Sequence, residues 1–214
     1  PTQSARIVHY TMNVKLDPKT NIISGSEQLE WKNTTGLPQQ EFPFHLYHNA
    51  WKNNRTTVAK EEGWDLGLGQ ESDYGYTNIK SIKVVDAKGE TDVTDTFRYI
   101  QPDDGNTEDQ TVCQVRIPKP VPAGQTLVFK IEVATKQPRP LSRTGAIRTY
   151  HFVAQWFPKF GVYEPAGMRY ASMGGWNCHQ FHAESEFYSN HSVYDVTVTL
   201  PADYVTGSVG MLMA

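Results

Sequence analysis

The chain has 214 residues, a mass of 24.2 kDa and a formal net charge of −3, which is enough polypeptide to bury a substantial core. Hydrophobic residues make up 38% of the sequence and aromatic residues 12%, a composition typical of folded rather than disordered proteins. A mean hydropathy of −0.53, together with the lack of a long apolar run, excludes a transmembrane helix. Lys and Arg are scattered along the chain, so the sequence lacks the basic patch typical of nucleic-acid binding.

Alternation of apolar and polar residues indicates strands through most of the chain. In the segment Ala5–Asp17, residues Tyr10, Met12 and Val14 alternate with polar residues, as expected for a strand with one buried face. Eight later segments, separated by turn residues, are also predicted as strands. They are Ile22–Asn33, Glu41–Tyr47, Ile79–Asp86, Val93–Ile100, Thr111–Ile117, Gln125–Thr135, Thr149–Trp156 and Glu186–Leu200.

Two glycine-containing segments, 49–76 and 160–185, are predicted as long loops, the first with one helical turn near its start. The overall pattern predicts an all-β fold, either a large curved sheet with antiparallel or mixed pairing or a sandwich. No linker or repeat divides the sequence, so residues 1–214 are predicted to form one domain. Because the chain starts with Pro1 and ends in an apolar segment, we expect it to be part of a longer polypeptide that is truncated at its C-terminal end.

Cys113 and Cys178 are too few for a disulfide framework and lack metal-ligand spacing. Two free buried thiols are the favoured interpretation. A disulfide between them in an oxidising compartment is the alternative.

The richest cluster of polar, potentially catalytic residues lies between Asn177 and His191. A metal site would need His179, His182 and Glu184 to converge on one ion, but in an extended segment the two histidines point to opposite faces. Hydrogen-bonded loop histidines beside Trp176 are therefore favoured. Glu184 and Glu186 could also form a catalytic carboxylate pair, although a solvated acidic surface is the more common arrangement.

Aromatic residues concentrate before and after residue 156. One interpretation is a stacking platform for a sugar. The favoured one is core, because Tyr150, Phe152, Ala154 and Trp156 alternate as on the buried face of a strand. No His-Glu-x-x-His, Gly-x-Ser-x-Gly, nucleotide-binding or calcium-binding motif is present.

Several segments, taken in order, resemble the N-terminal β-domain of the zinc aminopeptidase family that includes aminopeptidase N and leukotriene hydrolase. The pairing of Trp-Phe-Pro-Lys with a Gly-Trp-Asn loop resembles a bacterial branch of this family. The matching segments are YTMNVKLDPKTNIISGSEQLEWKN (Tyr10–Asn33), EFPFHLYHNAW (Glu41–Trp51), PKPVPAGQTLVFKIEVA (Pro118–Ala134), AQWFPKFGVYE (Ala154–Glu164) and EFYSNHSVYDVTVTLPADYVTGSVG (Glu186–Gly210).

The resemblance implies a saddle-shaped, non-catalytic domain that shapes the substrate cleft of a thermolysin-like catalytic domain later in the same polypeptide. Zinc and peptide hydrolysis belong to that catalytic domain. This chain alone lacks the ligands that would activate a zinc-bound water, so it holds no metal or catalytic residue under this interpretation. The parent protein is expected to be a zinc metallo-aminopeptidase acting on peptides, with a secreted or periplasmic location.

In the family, a Gln-x-Glu or Gln-x-Gln pattern contacts the free amine of the substrate, but the matching stretch Ile147–His151 lacks it. His151 and Gln155 are therefore the candidate substrate-binding residues. The loop 160–185 is expected to form a lip over the cleft, with four candidate cleft residues. These are Tyr163, Trp176, His179 and His182.

Two alternatives to the aminopeptidase interpretation remain. The first is a free-standing β-sandwich module that binds carbohydrate or protein through the loop from Tyr163 to His182. The second is a small metal-dependent enzyme that uses His179, His182 and Glu184.

Overall fold

The computed structural model describes residues 4–63, 68–139, 143–169 and 171–213. Within these residues strands predominate, which confirms the all-β prediction. The strands are β1 (Val8–Asp17), β2 (Ile22–Lys32), β3 (Gln39–His45), β4 (Tyr76–Asp86), β5 (Gly89–Asp92), β6 (Arg98–Tyr99), β7 (Val112–Val121), β8 (Thr126–Lys136), β9 (Gly145–Ile147), β10 (Tyr150–Phe152), β11 (Lys159–Phe160), β12 (Val162–Glu164), β13 (Gly175–Asn177) and β14 (Ser192–Thr199).

Helices are few and short. The α-helix α1 spans Thr57–Glu61, and three 3₁₀ helices span Tyr47–Trp51, Glu71–Asp73 and Thr94–Thr96. None of the helices in the described ranges is long and apolar enough to cross a bilayer.

The largest sheet has six strands in the order β14-β1-β2-β8-β4-β5. Strand β1 pairs with β14 in parallel and with β2 in antiparallel fashion, so the sheet is mixed. A second sheet has the order β11-β3-β7-β6, and two smaller ribbons pair β9 with β10 and β12 with β13. The largest sheet therefore places the last strand of the described chain, β14, beside the first, β1.

The hydrophobic core lies between the two larger sheets. Phe42 and Phe44 of β3 contact Phe129 of β8, with ring centroids 5.6 and 5.5 Å apart. Trp31 of β2 packs against Phe42 at 5.6 Å and against Phe160 of β11 at 5.5 Å. Rings of this size remove large apolar areas from water, and the two packed sheets correspond to the sandwich, one of the two forms predicted.

The structure corrects several predicted boundaries. The third strand ends at His45, and the 3₁₀ helix Tyr47–Trp51 follows it in place of the last predicted strand residues. The predicted strand Val93–Ile100 is interrupted by the 3₁₀ helix Thr94–Thr96. The predicted loop 49–76 contains α1, although its residues 64–67 lie outside the described part. The predicted loop 160–185 contains β12 and β13.

Candidate functional site

Strand β14 presents core-facing residues that remain about half exposed in the described structure. In the parallel register, Tyr194, Val196 and Val198 lie beside Tyr10, Met12 and Val14 of β1, respectively, and share their face of the sheet. The β1 residues are 1–3% exposed, whereas the β14 residues are 43–48% exposed. The second sheet thus covers β1 and stops short of β14.

The hairpin β9–β10 adds further exposed apolar side chains. Tyr150 and Phe152 are 59% and 43% exposed, so the prediction that they belong to the core is wrong. Only Trp156, later in the predicted strand, is buried. The reason is that β10 ends at Phe152 and, among the strands of the described ranges, pairs only with β9, which leaves the hairpin outside both large sheets.

Two contacts place the segment 151–157 next to β14 and the residues that follow it. The His151 ring lies 5.8 Å from the ring of Tyr204, which follows β14, and the Phe157 ring lies 5.9 Å from that of Tyr194. We call the combined set the apolar surface. It comprises Ile147, Tyr150, Phe152, Val153, Tyr194, Val196 and Val198.

The candidate substrate-binding residues His151 and Gln155 lie at the margin of the apolar surface. His151 Nδ1 is buried and has no hydrogen-bond partner among the described residues, and burial lowers the pKa of this imidazole. Gln155 has a left-handed backbone, with φ of 55°, and its side-chain oxygen accepts a hydrogen bond from Lys159 Nζ. No contact joins His151 to Gln155 in the described structure, so their shared role stays a prediction.

Acidic residues from two other segments form hydrogen bonds with the histidines of residues 178–186, a segment that we call the histidine loop. His182 Nδ1 lies 2.7 Å from Glu61 Oε1 of α1, and its Nε2 lies 3.2 Å from Asp103 Oδ2. His179 Nδ1 contacts the other oxygen of Asp103. The Glu61 and Asp103 carboxylates raise the pKa of His182 against the opposing effect of its partial burial. The hydrogen bonding predicted for the two loop histidines is therefore confirmed, whereas their packing beside Trp176 and Phe181 stays a prediction.

The same geometry does not suit a zinc ion. Both ring nitrogens of His182 and one of His179 already face carboxylates, and no metal-ligating group of three side chains converges anywhere in the described ranges. Glu186 forms a two-point ion pair with Arg143, at 2.8 and 3.0 Å, as an exposed acid does. These residues give no support to a zinc site or to a catalytic pair of Glu184 with Glu186.

Tyr163 and Trp176 face each other across the β12–β13 ribbon, with ring centroids 5.5 Å apart. Trp176 also contacts Trp31, Phe42 and Phe160 of the main core at 5.4–5.8 Å. Its ring therefore anchors the ribbon to the sandwich. The cysteines follow the favoured prediction, since Cys113 and Cys178 are both free and buried.

Three buried polar residues were not singled out from the sequence. Lys159 is 6% exposed, and the side chains of His45 and Glu27 are buried without hydrogen-bond partners in the described ranges. Burial lowers the pKa of His45 to about 3, so its ring is neutral near neutral pH. The burial of Glu27 could have been predicted from the sequence, because Glu27 alternates in step with Leu29 and Trp31 and therefore faces inward with them.

A cavity of about 560 Å³ lies beside the histidine loop. Its walls come from the ends of β3, β12 and β13 and from the loop itself. They include His45, Glu164, His179, His182 and Tyr188. Two of the four predicted cleft residues, His179 and His182, therefore line one cavity, whereas Tyr163 and Trp176 do not line it.

Comparison with known proteins gives fold likenesses only. No family model matches the sequence, and no curated protein matches it. An M1 zinc metallopeptidase from Deinococcus radiodurans is 17% identical, with a TM-score of 0.47, over 100% of this chain and 37% of that one. A mutant form bound to a Tyr-Ser-Ala substrate gives 17% identity, a TM-score of 0.48 and the same coverages of 100% and 37%.

A family IIIa CBD from Clostridium cellulolyticum is 13% identical, with a TM-score of 0.29, over 63% of this chain and 74% of that one. This chain spans 22–37% of the length of the metallopeptidase chains that it matches.

Proposed function

We propose that this chain is a non-catalytic β-domain of a zinc-dependent aminopeptidase-like metallopeptidase, and that its apolar surface docks on the catalytic domain of the same polypeptide. The observation that carries the proposal is the uncovered core face of β14. Together with the sequence resemblance, this face supports a partner domain that completes the burial.

The number and character of the residues in the apolar surface support docking. Isolated exposed apolar residues are normal on proteins, whereas several grouped on neighbouring segments are typical of an interaction surface. Here the aromatic rings of Tyr150, Phe152 and Tyr194 are each more than two-fifths exposed. Aromatic residues are enriched at the cores of protein interfaces, where they bury large areas with little loss of side-chain entropy.

The hairpin supplies the proposed contact with substrate. In the resemblance, the segment before Phe157 and Pro158 lies beside the substrate amine, and in this chain that segment is the protruding hairpin β9–β10. We propose that His151 and Gln155 line this side of the cleft. The histidine loop, with His179 and His182, forms its lip.

The zinc of the proposed parent protein would be held by its catalytic domain. Nothing in the described part of this chain fits a zinc ligand set, and this chain alone is proposed not to hydrolyse peptides. The alternative of a sugar- or protein-binding module remains a prediction, but the ring of Trp176 is engaged by the core, which leaves it a poor stacking platform.

The test is the protection of β14 by the longer polypeptide. Val196→Cys should react rapidly with a maleimide in this chain and be protected in the full-length protein, because the catalytic domain covers it. The buried native thiols Cys113 and Cys178 provide a low background. Thr11→Cys is the matched control, because Thr11 is exposed on the opposite face of the same sheet and should react equally in both proteins.

Equal labelling of Val196→Cys in both proteins would refute docking at this surface. A second readout is solution mass. The isolated chain should self-associate with increasing concentration, and Val196→Glu should reduce this association, as measured by light scattering.

A further inference from the structure

We propose that the partner docked on the apolar surface presents a carboxylate to Lys159, a buried cation at the margin of that surface. This inference rests on the proposed function and adds the chemistry that the partner must carry. It is an interaction through charge complementarity, in which the partner supplies an Asp or Glu side chain within an otherwise apolar contact.

Lys159 is buried without a counter-ion. It lies on β11, opposite His45 of β3, and its residue is 6% exposed. Its ammonium donates to the side-chain oxygen of Gln155, which is a neutral acceptor. In the described part of the chain, no carboxylate forms an ion pair with it, and burial is the sole cause that lowers its pKa, to about 8.

Three aromatic rings surround the ammonium. The centroids of Tyr47, Phe157 and Phe187 lie 5.4, 5.6 and 5.9 Å from Lys159 Nζ. Cation–π attraction offsets part of the cost of removing the charge from water, but it does not replace an anion. A buried cation without an anionic partner is costly, so an external carboxylate would gain from binding here.

The position of Lys159 connects the charge to the apolar surface. Phe157, which contacts the ammonium, also contacts the half-exposed ring of Tyr194. Gln155, which accepts the hydrogen bond from the ammonium, follows directly after the hairpin and Val153. Phe157 therefore links the ammonium of Lys159 to the Tyr194 end of the apolar surface.

The neighbouring charged groups do not satisfy this cation. His45 is neutral near neutral pH, because burial lowers its pKa to about 3. Asp103 is already held by His179 and His182. The structure thus offers one buried positive charge, one neutral imidazole and no free acid beside it among the described residues.

The experiment uses benzoate as a probe that joins an apolar ring to a carboxylate, with benzyl alcohol as its neutral counterpart. NMR titration of the isolated chain should show benzoate binding, with shifts near Gln155, Phe157 and Tyr194. Benzyl alcohol should bind about tenfold more weakly, since it cannot form the charged hydrogen bond. Binding of both compounds with equal affinity would overturn the proposal.

Two variants separate the effect of the Lys159 charge on benzoate binding from the effect of the shape of its side chain. Lys159→Met keeps the length of the side chain and should weaken benzoate binding by about tenfold without changing the binding of benzyl alcohol. Gln155→Glu places a carboxylate beside the ammonium within the chain, so it should raise Tm and also abolish benzoate binding. Unchanged benzoate affinity in Gln155→Glu would refute the proposal even if Lys159→Met failed to fold.

The outcome is distinguishable from that of the proposed function. If Val196→Cys is protected in the full-length protein but benzoate does not bind, only the role of Lys159 fails. If benzoate binds as expected but Val196→Cys is not protected, Lys159 is a carboxylate site and docking of a catalytic domain at this surface fails.

Discussion

Strands β1 and β14 are neighbours in one sheet, yet the inward-facing side chains of β1 are buried and those of β14 are exposed. Met12 is 2% exposed, and its register partner Val196 is 47% exposed. The residues have the same alternation and the same orientation. The difference is the second sheet, which covers β1 and not β14.

The comparison shows that apolar alternation indicates which way side chains point, but not whether another part of the protein packs against them. A covered face stabilises this chain by itself, whereas an uncovered one gains its burial only from a partner. The same amphipathic pattern therefore serves folding in β1 and, under the proposed function, assembly in β14.

The most direct way to break this comparison is a matched pair of truncations. Met12→Ala should lower the free energy of unfolding by about 2–5 kcal/mol, because it leaves a cavity in the core. Val196→Ala in the isolated chain should change it by about 0.5 kcal/mol or less, because its side chain is already solvated. Urea denaturation measures both values. Equal losses would show that the β14 face is covered in solution.

A second prediction concerns the buried face of the same sheet, which contains the carboxyl group of Glu27. Both oxygens of Glu27 are buried without partners in the described structure, and burial raises the pKa of this carboxyl well above 4.5. Glu27→Leu should therefore stabilise the protein by roughly 1–3 kcal/mol at neutral pH, because it removes unsatisfied buried polar atoms.

The pH dependence of Glu27 has a defined sign. Because the folded-state pKa is raised, the folded protein holds the proton more tightly, and stability falls as pH rises from about 4.5 toward the raised value. Glu27→Leu should flatten this decline in urea denaturation measured at several pH values. A steeper decline in the variant would contradict the assignment.

The smallest expected effect concerns His182 of the histidine loop, whose ring nitrogens face the carboxylates of Glu61 and Asp103. The raised pKa of His182 means that its charged contacts with Glu61 and Asp103 stabilise the fold below pH 6.5 and are lost as pH rises through the folded-state value. His182→Gln should reduce stability by about 0.2–1 kcal/mol at acidic pH and by less at alkaline pH.

Amide hydrogen exchange at Ala183 is the sensitive readout, because its N–H donates to Glu61 at 2.8 Å. His191→Gln is the control, since that histidine is exposed and should leave the exchange unchanged. Equal exchange in wild type and His182→Gln at every pH would exclude the loop contact.

Much of the fold could be predicted from the sequence, because strands such as β1, β2 and β8 have clean alternation with one buried face. The same rule failed for Tyr150 and Phe152, where a short hairpin leaves alternating aromatics exposed. The partners of the loop histidines could not be predicted, since Asp103 lies 76 residues from His179 and Glu61 lies 121 residues from His182. Contacts over such separations depend on the tertiary fold and leave no local pattern.

The parallel pairing of β1 with β14 has a consequence for folding. Val8 lies opposite Ser192, so the first strand gains its outer neighbour only after nearly the whole described chain is available. Contacts between such distant segments form slowly, because loop-closure entropy opposes them. During synthesis, β1 must wait as an unpaired edge until β14 emerges, and that interval is when the nascent protein is most exposed to aggregation.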